Sequence, residues 1–545
     1  MKKMRRVASL LAASLIATSG LVGCSGGAQV LTEFKNRPNE VVVYYVGTNA
    51  YGQDWITEIA KKYMTDHNSD TYINLKKTVV QIEELSKIEA GVSAGDLYLL
   101  DCHMESQVHA FEDISDVYDS YPIGESEKKI SEKLLPSLAA YYQNSGAQNY
   151  IMPKANIMGG MNFAYNKTVL DEIYPNGYTL PRTTDEFIEM GTDINEDAYL
   201  LISSFADNTD YAVYMFKSWF AQLIGFEAYE QFLDGRYYDE VQEKYVFDAT
   251  APTVYSQYKD AVESYYKTIN NIYAKSNGYL HKNSVDMGAM DAEAVLAGFG
   301  FGENAKPGVF MVQGAYVEQE MGWMLEEQKS AGNPQEMGMM QMPVASDIIK
   351  RTPSIENDVE LRTVIDYVDK VLAGESATKP ENVTDEDIAI IQEARSICGT
   401  YMAGGMVIPK GSKNKAGAKD FMRYLASDEA AIIAAQNTNG LNLLPFGKQV
   451  TEEELGFERT NFMKDCMKID NAISYVCSSD GQEHLFAYIS GIGPTKTPIR
   501  TYLTTFYNGT NTLTPSTFYQ ENYNALEKDW ERFVREYVNQ GGVTD

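Results

Sequence analysis

One short segment of this sequence carries side chains that could hold a metal ion. Cys102-His103-Met104-Glu105, with His109 shortly after it, supplies a thiol, two imidazoles and a carboxylate. Protein zinc sites use such groups, but they combine several of them in a tetrahedron, commonly as two clustered pairs. The other histidines, His67, His281 and His484, stand apart from each other and form no second pair. We therefore expect no metal site and no cofactor.

Motifs for hydrolysis or phosphate binding are not evident. The sequence contains no His-Glu-x-x-His zinc motif and no Gly-rich phosphate loop. Its 76 acidic residues are so numerous that a carboxylate pair for glycoside cleavage stays open, although no two of them stand out. The pattern favours a binding protein over an enzyme.

The first residues have the order of an export signal. Basic residues at positions 2 to 6 precede an apolar run, Val7–Val22, which ends at Gly23-Cys24. This order is typical of a secretory signal peptide, and the run is too short and wrongly flanked for a membrane span. A cysteine after a small residue resembles the lipobox of bacterial lipoproteins. That resemblance implies removal of residues 1–23, lipidation of Cys24, a flexible tether over 24–39, and attachment to the outer face of the cell membrane. The alternative is an ordinary cleaved signal with a chance cysteine.

Composition limits the classes of partner. The net charge is −30, which disfavours nucleic acid and anionic lipid headgroups. Hydrophobic residues make up 44% of the chain, enough to bury a core. No apolar run after Val22 is long enough to cross a bilayer. We expect a soluble mature protein that touches the membrane only through its lipid.

Few cysteines remain once Cys24 is set aside. They are Cys102, Cys398, Cys466 and Cys477. Their low number and irregular spacing argue against a fold built on disulfides. Cys466 and Cys477 could close a short loop outside the cell, or all four could be plain buried thiols.

Short apolar runs alternate with helical patterns, which predicts an α/β chain. Val41–Val46 reads as a buried strand, a helix follows from Ile56, and 72–79 reads as a second strand, so the three form a parallel crossover unit. Further strands are predicted at 96–101, 309–312, 339–342 and 406–408, and helices at 82–91, 255–273, 418–425 and 523–537. Thr183 and Glu186 form a predicted capping box at a helix start. The polar segment 346–397 has helix-like pieces and reads as an insertion.

Read in order, several segments resemble the extracellular solute-binding proteins of ABC importers, specifically the carbohydrate-binding family 1. The segments that carry the resemblance are 41–68, 87–101, 150–153 with 162–167, 180–187, 313–316, and 404–410 with 414–430. The sequence departs from the family at Gln313, where Asn is usual, and at Tyr316, where Trp is usual. These departures leave the sugar specificity open. The resemblance runs from about 41 to 444 and does not cover the insertion or the tail.

The resemblance implies a fold and a function. It implies a two-lobed α/β fold of the periplasmic-binding-protein type, with hinge strands and a ligand cleft between the lobes. The expected boundaries are 40–154 for lobe I, 155–343 for lobe II, 344–434 for the return to lobe I with the insertion, and 435–545 for the return to lobe II and the C-terminal helices. The implied function is capture of a carbohydrate, an oligosaccharide, by a monomer that delivers it to ABC permease subunits.

A sugar presents apolar C–H faces and a rim of hydroxyls, so its site needs flat rings, amides and carboxylates. Within the resemblance, the candidate ligand residues are those in loops after strands or near the expected crossings. They are Asn49, Tyr51, Asp54, Asp101, His103, Asn156, Trp219, Gly314, Tyr316, Gly404, Gly405, Asn439 and Asn442.

Several of these candidates have a plain structural alternative. Tyr51 could be a surface ring, Trp219 could belong to the core, and Asp101 could cap the next turn. Gly404 and Gly405 either let the backbone approach a ligand closely or make a tight turn. Other functions also stay open: a surface glycoside hydrolase, an adhesion or scaffold lipoprotein, or a binding protein for a peptide or polyamine.

Overall fold

The computed structural model describes residues 31–46, 52–144, 146–155, 160–204, 212–300, 306–399, 404–477, 485 and 514–539. The chain divides into two compact units. Unit 1 is the described part of Met1–Asn156 together with Gly404–Gly456, and unit 2 is the described part of Ile157–Ala403 together with Phe457–Asp545.

Strands and helices alternate through both units, as the sequence predicts. Among the described residues, the strands are β1 (Asn39–Val46), β2 (Thr71–Thr78), β3 (Leu97–Leu100), β4 (Asn162–Asn166), β5 (Tyr199–Ile202), β6 (Arg236–Asp239), β7 (Lys244–Phe247), β8 (Gly308–Gln313), β9 (Met337–Met340), β10 (Ile397–Gly399), β11 (Gly405–Val407) and β12 (Tyr475–Cys477).

The α-helices of the same ranges are α1 (Asp54–Lys62), α2 (Gln81–Glu89), α3 (Ser115–Tyr118), α4 (Ile130–Lys133), α5 (Pro136–Asn144), α6 (Lys167–Ile173), α7 (Thr184–Ile194), α8 (Ala212–Ile224), α9 (Phe226–Leu233), α10 (Thr253–Gln257), α11 (Lys259–Tyr273), α12 (Ala289–Leu296), α13 (Val317–Glu320), α14 (Gly322–Ser330), α15 (Asp358–Leu372), α16 (Asp385–Ser396), α17 (Lys415–Leu425), α18 (Asp428–Gln436), α19 (Glu452–Leu455), α20 (Asn461–Ala472) and α21 (Pro515–Asn539). The single helix predicted over 255–273 is two helices, α10 and α11, which are separated at Tyr258.

Unit 1 is built on a sheet with the strand order β11-β3-β1-β2. β1 is parallel to β2 and β3, so the predicted crossover unit is confirmed. Val41 and Val43 of β1 are fully buried because alternate side chains of the strand face the core. β11 belongs to the returning segment and pairs antiparallel with β3.

A buried carboxylate joins the two segments of unit 1. Asp96 lies directly before β3, and its Oδ2 accepts a hydrogen bond from the backbone N–H of Val42 at 3.0 Å. Its Oδ1 accepts from the Ser412 hydroxyl at 2.8 Å and from the backbone N–H groups of Lys413 and Asn414 at 3.1 and 3.0 Å. Asp96 therefore holds β1 and the loop after β11 in one position.

Unit 2 is built on a second sheet, in the order β5-β8-β4-β9. β5 and β8 are parallel, and β4 is antiparallel to both β8 and β9. The rings of Phe163, Phe187 and Phe310 meet in its core at centroid distances of 5.0 to 6.0 Å. These aromatic contacts hold α7 against the sheet.

The predicted capping box at α7 is half correct. The Thr183 hydroxyl accepts from the Glu186 backbone N–H at 3.2 Å, as expected for an N-cap. The Glu186 carboxylate accepts from the backbone N–H of Arg182 and from its guanidinium, and not from Thr183. The nearby arginine attracts the carboxylate more strongly than the neutral amide does.

The inserted segment belongs to unit 2, whereas we expected the chain to return to lobe I at 344. Val344 exchanges backbone hydrogen bonds with Arg182 and Thr184, and α15 and α16 share an apolar core around Ile348, Leu361 and Ile391. The return to unit 1 begins at Gly404, and residues 435–456 also lie in unit 1 where a change to lobe II was expected. The periodicity of a helix shows that it has an apolar face but not which element covers that face.

The last helix, α21, has the predicted apolar stripe. Leu526, Trp530, Phe533 and Tyr537 are buried at helical spacing. The Trp530 indole N–H donates to the carbonyl of Asp248 at 2.8 Å. Neither this helix nor any other in the described ranges is long and apolar enough to span a bilayer.

We expect Asp96→Asn to lower the free energy of unfolding by about 2–4 kcal/mol, because an amide can accept fewer and weaker hydrogen bonds than the carboxylate. Urea unfolding followed by fluorescence measures the change. The matched control is Asp113→Asn, because this exposed carboxylate serves only the N–H and hydroxyl of Ser115. Equal effects of the two substitutions would contradict the proposed linking role of Asp96.

Candidate functional site

Ligands of open α/β sheets bind beyond the carboxyl ends of the strands, and several of the predicted ligand residues lie there. In unit 1, Asp54 is the exposed first residue of α1, and Asp101 and His103 follow β3. Burial, together with the charge of Asp54, raises the pKa of Tyr45. Four predicted residues, Cys24, Asn49, Tyr51 and Asn156, lie outside the described residues.

Asp101 forms an ion pair with Lys154, which sequence reasoning missed. The Lys154 ammonium contacts Asp101 Oδ1, and its side chain is only 9% exposed. The backbone N–H of Asp101 donates to the side-chain carbonyl of Gln81, at the start of α2. Asp101 is therefore held by two neighbours and presents both a carboxylate and an ammonium at the end of β3. The sequence places Lys154 directly after Pro153, but nothing in its spacing indicates Asp101 as its partner.

His103 lies beside a second buried acid, Glu105. His103 Nδ1 is 3.5 Å from Glu105 Oε2, which also accepts from the Met104 backbone N–H at 2.9 Å. Burial by itself would raise the pKa of Glu105, but the hydrogen bond and charge of His103 hold it below its usual value. Within the described ranges, no group of three or more His, Cys, Asp or Glu side chains is arranged to hold a metal ion.

The four cysteines after Cys24 are buried and form no disulfide with each other. Cys466 lies in α20 and Cys477 in β12, so of the two alternatives left open by the sequence the structure has plain thiols. Burial raises the pKa of the Cys102 thiol to about 11, which leaves it protonated and unreactive at neutral pH.

Gly404 and Gly405 are required by the packing of backbone against backbone. Gly404 has a φ of +82°, and a Cβ there would lie 2.0 Å from the carbonyl oxygen of Leu100. A Cβ on Gly405 would lie 2.7 Å from the carbonyl oxygen of Met152. The Tyr142 hydroxyl donates to the carbonyl of Gly404. Gly404 thus allows the chain to lie close to the end of β3, next to Asp101, and Gly405 allows β11 to lie close to Met152.

The two predicted asparagines follow α18. Asn439 is exposed and has a φ of +53°. Asn442 is buried, and its amide donates to Gln449 Oε1 at 2.9 Å and accepts from the Val450 backbone N–H at 3.4 Å. Asn442 therefore uses its amide to hold its own loop, and Asn439 leaves its amide accessible.

In unit 2, Gly314 and Tyr316 follow the end of β8. The half-buried Tyr316 ring lies against Gly314, where a Cβ would come within 2.5 Å of the ring atom Cε1. The Tyr316 hydroxyl donates to Met161 Sδ at 3.9 Å. A glycine at 314 is therefore needed to seat the tyrosine ring.

Trp219 is corrected from a ligand candidate to a core residue. Its side chain is 1% exposed, and its indole N–H donates to the carbonyl of Pro343 at 2.9 Å. Residues four apart on α8 share one face, and this face is turned to the core. A ring without an exposed face cannot stack on a ligand.

Beside Gly314, the structure brings Gln313, which belongs to a segment of the family resemblance, together with two acidic residues that the sequence did not indicate. Gln313, Glu293 and Glu320 meet at the carboxyl end of β8, and the Gln313 amide donates to Glu293 Oε1 at 3.3 Å. At the end of β5, Ser203 shares hydrogen bonds with Ser284 and with the Tyr273 hydroxyl. The residues of each group lie on different elements of the chain, so no spacing pattern in the sequence predicts that they meet.

No protein-family model matches this sequence, and a search of curated proteins finds no match. Solved structures do match it along most of its length. A protein designated a probable secreted solute-binding lipoprotein from Streptomyces coelicolor has a TM-score of 0.54 at 12% identity, over 90% of this chain and 99% of that chain. Maltose-bound MalE3 of T. maritima gives 0.52 at 14% identity, over 90% and 99%. RafE in complex with raffinose gives 0.51 at 13% identity, over 90% and 99%.

This chain has the fold of the solute-binding proteins. The predicted fold class is thereby confirmed, and the proteins that share it in this comparison are binding proteins. Because the sequence identities are low, the likeness concerns the fold.

We expect Gly404→Ala to destabilise the protein by about 3 kcal/mol or more, because the new Cβ would clash with the Leu100 carbonyl. Gly124→Ala is the matched control. Gly124 has the same φ of +82° but no atom within 4 Å of an added Cβ, so only the backbone penalty of about 1 kcal/mol applies. Chemical denaturation of both variants measures the difference. If Gly404→Ala proved as stable as Gly124→Ala, the packing role assigned to Gly404 would be wrong.

Proposed function

We propose that this chain is the substrate-binding protein of an ABC importer and that it captures a carbohydrate, an oligosaccharide, for import. The observation that carries the proposal is the match of its fold, over about nine-tenths of the chain, to solute-binding proteins solved with maltose and with raffinose. The proposed activity is binding and delivery, without chemistry on the ligand.

The residues at the strand ends of each unit support a sugar ligand. In unit 1, Asp101 and Lys154 offer an acceptor and a donor side by side, and His103 lies two residues further on. In unit 2, Tyr316 offers a half-buried ring at the end of β8. The hydroxyls of a sugar can form hydrogen bonds with Asp101 and Lys154, and the apolar face of a pyranose can stack on the ring of Tyr316.

Calorimetric titration with a panel of oligosaccharides tests this proposal. We expect at least one to bind, and Tyr316→Ala to weaken its binding by about threefold to tenfold, the loss of one stacked ring. Tyr238→Ala is the control, because Tyr238 lies exposed in the β6–β7 hairpin of the same unit. Silence across the panel, with binding of a peptide or polyamine, would overturn the sugar ligand. Release of reducing ends from a glycan would replace the proposal with a glycoside hydrolase.

We also propose that lipidated Cys24 tethers the protein to the outer face of the cell membrane, beside permease subunits. A tether raises the effective concentration of the binding protein at its partner without any new contact. The tether requires no oligomer, and the protein is proposed to act as a monomer.

Replacing Cys24 with Ala should release the protein from the membrane fraction into the medium while its affinity for the ligand stays unchanged. Membrane fractionation and calorimetry measure the two effects. Cys466→Ala is the control and should leave the protein on the membrane, because this thiol is buried in α20. Retention of the Cys24→Ala variant on the membrane would contradict lipid anchoring at this residue.

A further inference from the structure

Two glutamates of unit 2 meet at the carboxyl end of β8. Glu293 lies on α12 and is 7% exposed, and Glu320 is the last residue of α13. Their carboxyl groups lie close enough that each shifts the pKa of the other. In the described part of the chain, no lysine, arginine or histidine pairs with either of them. A buried carboxyl group in a protein is normally paired with a cation or kept neutral by a proton, and this pair has no cation beside it among the described residues.

The side-chain amide of Gln313 lies in the same cluster, and one of its two polar atoms lacks a partner. The residue is fully buried, and its amide nitrogen donates to Glu293 Oε1 at 3.3 Å. Its carbonyl oxygen, on the same amide, is buried without a hydrogen-bond partner among the described residues. A buried acceptor without a hydrogen bond is unfavourable, so the carbonyl oxygen of Gln313 lacks a donor.

An exposed aromatic ring lies on the next helix after Glu320. Trp323 is 55% exposed and stands three residues after Glu320, at the start of α14. The other three tryptophans, Trp55, Trp219 and Trp530, are buried. Indole is the aromatic side chain that attracts cations most strongly through its face. Met290, which is 59% exposed, lies one turn before Glu293 on α12 and extends the apolar rim.

The negative charge of the protein favours a cationic ligand over a neutral or anionic one. The chain as a whole carries a net charge of −30, which attracts cations. Burial raises the pKa of both Glu293 and Glu320, and the charge of Glu320 raises that of Glu293 further. The pair therefore keeps a shared proton at neutral pH, because two adjacent buried carboxylates resist ionising together.

We propose that Glu293, Glu320, Gln313 and Trp323 form a subsite for a protonated amine, so that the captured solute is an oligosaccharide with a free amino group. This inference rests on the proposed function. An ammonium group donates three hydrogen bonds, which match the two carboxylates and the Gln313 carbonyl. The shared proton leaves to solvent as the ammonium binds, and the indole face of Trp323 covers the bound cation. A polyamine supplies the same ammonium chemistry from a different source.

Calorimetry with three probes separates these sources. The probes are chitosan trisaccharide, chitin trisaccharide, which has the same sugar skeleton with its amines acetylated, and spermidine. We expect the chitosan trisaccharide to bind at least about tenfold more tightly than the chitin trisaccharide, and Glu320→Gln and Trp323→Ala each to remove that preference. Glu327→Gln is the matched control. Glu327 is an exposed acid on α14. Its replacement removes one acidic side chain, as Glu320→Gln does, and should leave the preference for the chitosan trisaccharide unchanged.

Each outcome decides a separate point. Equal binding of the two trisaccharides would overturn the amine subsite and leave the proposed function standing. Binding of spermidine alone, sensitive to Glu320→Gln, would support the amine subsite and overturn the sugar. The same loss in Glu327→Gln as in Glu320→Gln would assign the preference to net charge and overturn the subsite. Silence of all three probes would overturn the amine subsite, whereas the wider oligosaccharide panel decides the proposed function independently.

Discussion

The structure of unit 1 depends on one buried carboxylate, that of Asp96. The unit is assembled from two segments that are separated in the sequence by Ile157–Ala403, the larger part of unit 2. Asp96 accepts hydrogen bonds from β1 on one side and from residues 412–414 on the other. Such bonds to a charged acceptor are roughly twice as strong as neutral ones. They set the position of β11 against β3, and this close approach explains why Gly404 must lack a side chain.

The same constraint prepares the candidate site of unit 1. β3 leads from Asp96 directly to Asp101, whose carboxylate meets the buried ammonium of Lys154. In unit 2, β8 leads in the same way to Gln313 and Tyr316. The two sites differ in the partners of their carboxyl groups. Asp101 has a cation as partner, whereas within the described ranges Glu293 and Glu320 have only each other and an amide. A buried polar group without its partner is unfavourable for folding, and its presence at a strand end is better explained by a ligand than by stability.

Much of the fold could be predicted, because local patterns carry it. The β-branched and aromatic run Val41–Val46 indicates a strand, and helical spacing indicates α17 and α21. The site could be predicted only in part. The role of Asp101 as a ligand residue stays a prediction from its place after a strand. Its ion pair with Lys154 could not be predicted, because an ion pair between distant residues leaves no periodic trace. Trp219 shows the opposite error, since an aromatic residue in a helical pattern suits a ligand site or a core equally well.

By itself, the sequence determined the α/β class, the order of most strands and helices, and the resemblance to solute-binding proteins, because these depend on short-range spacing and on motifs in order. Only the tertiary structure decided which segments share a unit, that Trp219 is buried, and that Glu293, Gln313 and Glu320 meet beside Tyr316. These facts depend on contacts between residues far apart in the chain. Such contacts are selected by the burial of whole faces and by the pairing of buried charges, which no local pattern of residues encodes.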